Sequence, residues 1–304
     1  MRKRRSNPPG PKRRATRSSQ KATRKSSSSK SDKDDGGRGK FSSARKKVFG
    51  RASKKIATSK ASEVPQRTDE RIRLNKFIAN SGVSSRREAD QLIQMGLISV
   101  NGKVITELGY KVNPGDEVRY EKKVLRAEKP VYILMNKPKG FLTTTRDPQE
   151  RHTVMEIIGN KIKERIYPVG RLDRNTTGLL LLTNDGDLAE KLSHPSYKAK
   201  KIYKVELNRP LSKMDAQKII EGVKLEEGRA LVDELAVISE DGKTIGIELH
   251  IGWNRVVRRI FEALEYEVVK LDRTLYAGLD KKDLPRGTWR FLKKEEVVRL
   301  KHFQ

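Results

Sequence analysis

From Val131 to Leu300 the chain mixes two kinds of apolar run, with no regular strand–helix–strand repeat. VYILMNKP (131–138) and GLLLLTN (178–184) are of strand length. DLAEKLSH (187–194), SKMDAQKIIEGV (212–223) and NRVVRRIFEALE (254–265) carry apolar residues at helical spacing. Ser212 and Asp215 add a capping pattern to the second of these. ISEDGKTIGIELHI (238–251) is a hairpin candidate around Asp241-Gly242. Strands that outnumber helices and adjoin hairpins predict an α+β fold on a mixed, largely antiparallel sheet.

A smaller unit precedes this one. RLNKFIANSG (73–82) reads as a short helix with Leu74, Phe77 and Ile78 on one face and Gly82 near its stop. Ser85 and Glu88 form a capping box that opens a second helix, SRREADQLIQMG (85–96), with Ala89, Leu92 and Ile93 inward. Gly96 ends it. LISVNGKVITE (97–107) turns at Asn101-Gly102, a strong hairpin signal, and NPGDEV (113–118) adds a turn and strand. The charged stretch EKKVLRAEKP (121–130) reads as a linker.

The first 60 residues differ from the rest. They hold 22 Lys and Arg against three Asp, so +19 of the formal net charge of +29 lies there. Ser, Gly and Pro fill the gaps. Such a composition cannot bury enough apolar surface to offset its ordering entropy, so disorder is expected over 1–67. The segment reads either as an arm that adds non-specific nucleic-acid affinity or as a solubilising tail. A charge of this size favours a polyanionic partner through phosphate contacts and counterion release. No stretch approaches the roughly 18 apolar residues of a spanning helix, and no basic amphipathic helix supports a membrane-surface role. With no Cys, disulfides, thiolate catalysis and Cys-ligated zinc are excluded. The four His show no metal-ligand spacing. No signal peptide is apparent, and a cytoplasmic setting is expected.

One loop stands out for chemistry. GRLDRNTTG (170–178), between two expected strands, carries a single acid, Asp173, flanked by Arg171 and Arg174. Neighbouring cations favour a carboxylate, which is a usable nucleophile or base. By itself the pattern reads first as a loop salt bridge. Asp147, Asp185 and Asp187 lie in other polar loops, the last two before a helical segment, where acids serve as caps. Asp272, in KLDRTLY, reads as a strand-end salt-bridge partner.

Two resemblances bear on this choice. LNKFIANSGVSSRREADQLIQMGLISVNGKVI with NPGDEV resembles the S4 RNA-binding domain, over 68–121. GRLDRNTTGLLLLTNDG is similar to the signature of the pseudouridine synthases, in the form of the RsuA/RluB branch. MNKPKGFLTTTRD, HPSYKAKKIYKVEL, NRVVRRIFEAL and LPRGTWRFL fit the same branch in the expected order, so the resemblance spans a catalytic domain at 126–304. It implies that Asp173 is the essential carboxylate, that Tyr203 lies against the target uracil, and that Arg258 pairs with Asp173. It further implies Val257 as an apolar pocket wall, Arg171 as an RNA-positioning group, and Lys201 as a backbone contact or an aid to the tyrosine. The S4 resemblance places RNA contacts on Arg73, Lys76, Ser84, Ser85, Arg86 and Arg87. The last two sit on a helix's first turn, where free N–H groups also favour phosphate.

The third motif departs from the branch. The resemblance implies an acid before its Asn-Arg and a Gln after it, where HIGWNRVVRRIF has Ile251 and Val256. Trp253 sits where a basic residue is common, and reads either as a platform for an unstacked base or as a core tryptophan.

The implied reaction moves uracil from an N1–C1′ to a C5–C1′ bond. It needs a flipped uridine, one carboxylate and a route for the C5 proton, and no metal or cofactor. The carboxylate can attack C1′, add at C6, or act through a glycal. The expected partner is ribosomal RNA or an assembly precursor, the expected target the large-subunit (23S) RNA with the small-subunit (16S) RNA as alternative, and the expected state a monomer. A non-catalytic rRNA-binding or assembly factor on the same fold is the competing reading. If the basic arm adds RNA affinity, deleting residues 1–60 weakens binding and flattens its salt dependence, as titrations at two salt concentrations would show.

Overall fold

The computed structural model describes residues 70–302. The basic extension expected at 1–67 lies outside the described residues.

The N-terminal module starts with strand β1 (Ile72–Arg73) and helix α1 (Leu74–Asn80), then α2 (Arg86–Gln94). Leu74, Ile78, Ala89 and Ile93 are buried in one core. The capping box forms: Glu88 N–H donates to Ser85 Oγ (3.2 Å) and Ser85 N–H to Glu88 Oε2 (2.8 Å). Strands β2 (Ile98–Val100) and β3 (Lys103–Val104) are joined by Asn101 and Gly102, at φ 50° and 81°. Both values are positive, as a two-residue hairpin turn of this hand requires. β4 (Lys111–Val112) pairs with β1. β5 (Val118–Tyr120) and β6 (Lys123–Val124) complete an antiparallel sheet of order β3-β2-β5-β6.

The expected linker at 121–130 is therefore structured in its first half. β6 pairs with β5, and Leu125 is buried in the module's core. Glu128 N–H then donates to Asn80 O (2.9 Å), and its carboxylate accepts Arg165 N–H (3.1 Å). Burial of one leucine and satisfied backbone groups override the charged composition.

The second part opens with β7 (Tyr132–Lys137), α3 (Val154–Ile158), β8 (Tyr167–Pro168), β9 (Thr177–Thr183) and α4 (Gly186–Ser193). It continues through β10 (Lys201–Leu207), α5 (Lys213–Glu221), β11 (Val223–Leu225), β12 (Gly228–Ala230), β13 (Glu234–Val237) and β14 (Thr244–Leu249). It ends with α6 (Val256–Glu262), β15 (Val268–Tyr276), β16 (Leu279–Asp280), β17 (Trp289–Phe291) and α7 (Lys294–Lys301). The main sheet runs β13-β14-β10-β15-β9-β7-β17, with β8 beside β9 and β16 beside β15. Only β9–β15 is parallel; the other pairings are antiparallel. The fold is thus the expected α+β, with a mixed, largely antiparallel sheet. The Asp241-Gly242 hairpin is present between β13 and β14, but its loop is wide. Ser239 Oγ accepts Thr244 N–H and Asp241 accepts Lys243 N–H, so side chains close the loop in place of a two-residue turn. None of the described helices is long and apolar enough to cross a membrane.

All of β9 is buried because helices cover both sheet faces there. Leu180 and Leu182 pack with Val154 and Ile158 of α3 and Ile260 of α6. Leu179 and Leu181 pack with Leu188 and Leu192 of α4 and Leu300 of α7. Successive strand residues point to opposite faces, so an unbroken apolar run marks a strand covered twice.

The two halves of the sheet meet at β9–β15, where Gly178 lies opposite Arg273. Gly178 has φ +106°, and a Cβ there would sit 2.3 Å from Arg273 O and 2.5 Å from Arg273 N. Only glycine fits. Gly178→Ala is expected to destabilise the protein by about 3 kcal/mol through strain and strand separation, lowering Tm by roughly 6–12 °C in calorimetry.

Candidate active site

The loop 170–176 between β8 and β9 is held from beneath by Lys137, the last residue of β7. Its side chain is fully buried. Its ammonium donates to the carbonyls of Pro138 (3.1 Å), Asp173 (3.1 Å), Arg174 (3.3 Å) and Thr176 (2.9 Å). Thr176 N–H donates to Asp173 O (3.0 Å), and Thr143 Oγ1 to Leu172 O (2.8 Å). Burial pushes the lysine's pKa down to about 8, against the opposing pull of Asp173.

This framework presents the Asp173 side chain, 33% exposed, to a cleft. Its Oδ2 lies 3.9 Å from Arg258 Nε and 4.0 Å from Arg255 Nη1. Arg258 is buried, anchored by Nη1 donating to Val268 O (2.9 Å), and its Nε has no hydrogen-bond partner. Burial, then the charge of Arg255, lower the Arg258 pKa; Asp173 and Glu262 oppose them.

The cleft holds about 150 Å³. Asp173 is the one acid that lines it. Tyr203, from β10, is buried there, and Ile251, Trp253, Val256 and Val257 supply apolar wall. Arg171, Lys201, Arg255 and Arg273 supply cations. Lys201 Nζ donates to Ala199 O (3.1 Å) and His250 O (2.7 Å). An apolar slot with an aromatic ring, one carboxylate and a cationic rim suits a flat base on an anionic backbone.

The competing acids are engaged elsewhere. Arg151 holds Asp147 with three hydrogen bonds, two from its guanidinium at 2.7 and 3.0 Å and one from its backbone N–H at 2.9 Å, and brings its pKa down to about 2. Asp185 caps α4, accepting from Leu188 N–H and from the Tyr132 hydroxyl. Asp187 pairs with Lys76. Asp272 lies within β15 rather than at a strand end, bound by Thr177 Oγ1 (2.6 Å), Lys281 and Arg286.

Residues 131–263 match the family model of RNA pseudouridylate synthases, and residues 72–118 that of the S4 domain. The ribosomal large subunit pseudouridine synthase B of Bacillus subtilis is 44% identical over 233 residues, covering 75% of this chain and 95% of that relative. The chain belongs to the RNA pseudouridine synthase family. The dual-specificity RNA pseudouridine synthase RluF of Escherichia coli is 36% identical over 235 residues, 76% of this chain and 79% of its own. A crystal structure of a pseudouridylate synthase matches with TM-score 0.55 at 26% identity, covering 75% of this chain and 99% of that one.

In this synthase, Asp173, Tyr203, Val257, Arg171 and Lys201 all line the one cleft, and Arg258 reaches Asp173 from behind the wall. Ile251, Trp253 and Val256, the departures from the branch pattern, line it too. The residues expected to contact RNA in the N-terminal module divide. Arg73, Arg86 and Arg87 are exposed. Lys76 is tied to Asp187. Ser84 is buried with its hydroxyl on Ser85 O, and the Ser85 hydroxyl is engaged in the helix cap.

Lys137, Arg255 and Arg273 went unread in the sequence. Lys137 carries a faint signal, a lysine continuing the apolar strand VYILMN; Arg273 carries none, since its setting comes from residues 94 positions away. Because the pKa of Lys137 falls from 10.5 to about 8 on folding, the unfolded chain holds the extra proton between those pH values. The group's contribution to stability therefore rises as pH rises through that window. Denaturant titrations should show the stability lost in Lys137→Met growing from pH 8 to pH 10. A loss that shrinks would mean the four carbonyls outweigh burial.

Proposed function

We propose that this synthase isomerises one uridine of ribosomal RNA, in the large subunit, with Asp173 as its catalytic carboxylate. The S4 module at 68–121 gives RNA affinity, and the domain at 126–304 performs the reaction. The observation that carries this reading is the cleft itself: one acid, Tyr203 and an apolar wall among several cations. The large-subunit assignment is supported by the Bacillus subtilis relative, whose name states that target.

The chemistry follows from the arrangement. A uridine leaves its stack at a cost of a few kcal/mol. Arg171, exposed at the cleft, is placed to hold the strand it leaves. The uracil lies against Tyr203, with Val257 as a wall. Arg258 and Arg255 fix the Asp173 carboxylate by attraction at about 4 Å without hydrogen-bonding it. Its oxygens are left free to meet C1′ or C6. The base then rejoins the sugar through C5, and the C5 hydrogen leaves.

That hydrogen gives the test. With large-subunit rRNA transcripts tritiated at uracil C5, the wild type should release tritium as water. Asp173→Ala should lower release by at least about 10³-fold, in the range of a lost nucleophile, with RNA affinity kept within a few-fold. Silence of the wild type on every rRNA or precursor would defeat the proposal. Release only from small-subunit RNA would reassign the target.

A further inference from the structure

Arg273 is the most unusual charge in the molecule. It is 3% exposed, on β15 directly opposite Tyr203 of β10. Its Nε donates to Leu179 O (2.8 Å), and its guanidinium stacks over the Tyr276 ring at 4.3 Å. Nη2 is buried and has no hydrogen-bond partner. Among the described residues no carboxylate pairs with it. Lys201, half-buried, adds a second cation, its pKa pushed down to about 8, first by burial and then by Arg273 itself, against the pull of Asp233. A fully buried guanidinium with no paired carboxylate, beside a second cation, is costly. Both line the cleft that holds Asp173 and Tyr203.

An uncompensated cation at a cleft floor is explained by negative charge that arrives with the ligand. Phosphates of a flipped nucleotide stay with the strand, at the rim where Arg171 is exposed. The part that enters deeply is the base. We propose that Arg273, with Lys201 beside it, receives a ring carbonyl oxygen of the flipped uracil and stabilises the charge that the ring acquires during reaction. This rests on the function proposed above and adds a catalytic residue to it.

The electron count supports the placement whichever route Asp173 takes. If the C1′–N1 bond breaks, its electron pair stays with the uracil and spreads onto O2 and O4. If the carboxylate adds at C6, the C5=C6 pair moves toward the C4 carbonyl and O4 carries the charge. In the first case the pair returns as C5 bonds C1′ and any carboxylate bound at C1′ departs; in the second, C5 bonds C1′ as the C1′–N1 bond breaks, and the carboxylate leaves C6 as the C5 proton is lost and C5=C6 re-forms. Either way the C5 proton leaves and N1 takes one up. A donor already fixed where charge develops needs no reorganisation. Leu179 O and the Tyr276 ring give Arg273 that fixity. Gly178 allows it, since any side chain there would displace the Arg273 backbone.

The test crosses enzyme and substrate changes. Single-turnover tritium release is measured for wild type, Arg273→Met and Arg273→Lys. The RNAs carry uridine, 2-thiouridine or 4-thiouridine at the target, because sulfur accepts hydrogen bonds poorly. On uridine, Arg273→Met should lose about 10²–10³-fold in rate, the range for one lost oxyanion donor, with RNA affinity within threefold. Arg273→Lys, which keeps the charge, should recover part of the rate. On the thio-substrate whose oxygen Arg273 meets, the Met penalty should shrink to under about tenfold, the non-additivity of a direct contact. An equal penalty on all three substrates would overturn the proposal, as would an Arg273→Met enzyme as fast as wild type. Should Arg273→Met fail to fold, the Arg273→Lys penalty across the three RNAs decides by the same criterion. A wild type silent on every RNA would instead remove the synthase reading on which the proposal stands.

Discussion

The buried ammonium of Lys137 is the interaction on which the site depends. It sits at the end of β7 and gathers carbonyl oxygens from Pro138, Asp173, Arg174 and Thr176. Those carbonyls belong to two segments just beyond the β7–β9 ladder, the turn after β7 and the loop before β9, which Gly140 N–H donating to Arg174 O (2.8 Å) also ties together. A polar loop of this length would ordinarily be mobile, with its backbone groups on water. Here one cation satisfies the carbonyls that the loop turns inward. Burying it is unfavourable, as its lowered pKa reflects. The carbonyl contacts offset that cost, and the result is a fixed backbone at Asp173, as the role proposed for it requires.

A second constraint operates at the centre of the sheet. β9 and β15 are the parallel pair, and they join the antiparallel half that carries Tyr203 to the half that carries Asp173. The backbones approach so closely that Gly178 has no room for a Cβ. The same strand pair brings Arg273 beneath the cleft and gives it Leu179 O as an anchor. Packing and chemistry are therefore coupled at one point: the leucines of β9 fill both cores, while its backbone holds the buried cation.

Local features of the fold were legible because their causes are local. Ser85 and Glu88 are three residues apart, and their reciprocal bonds define the start of α2. Asn101 and Gly102 tolerate positive φ, so the β2–β3 turn could be read directly. Asp173 stands out only through its company in the family signature, since a loop acid between two arginines reads first as a salt bridge. What stayed hidden was non-local. Lys137 reads as a solvated strand end until the loop from 173 to 176 closes over it. Leu125 vanished into a charged stretch because one apolar residue gives no period. Of the serines expected at RNA, Ser84 is buried with its hydroxyl on Ser85 O, and the Ser85 hydroxyl is taken up by the α2 cap.

The distance between Asp173 and its arginines bears on why this acid suits the role proposed for it. Asp147 shows the alternative: Arg151 binds both of its oxygens at hydrogen-bond distance, and its lone pairs are occupied. Such a carboxylate is firmly ionised and a poor nucleophile. Asp173 meets two guanidinium groups at 3.9 and 4.0 Å, close enough for attraction and too far for a hydrogen bond. Among the described residues its oxygens accept no hydrogen bond. Anchoring Arg258 on Val268 O keeps the guanidinium from closing that gap. The carboxylate is thus held by charge and backbone alone, and its lone pairs remain open toward the cleft where carbon must arrive.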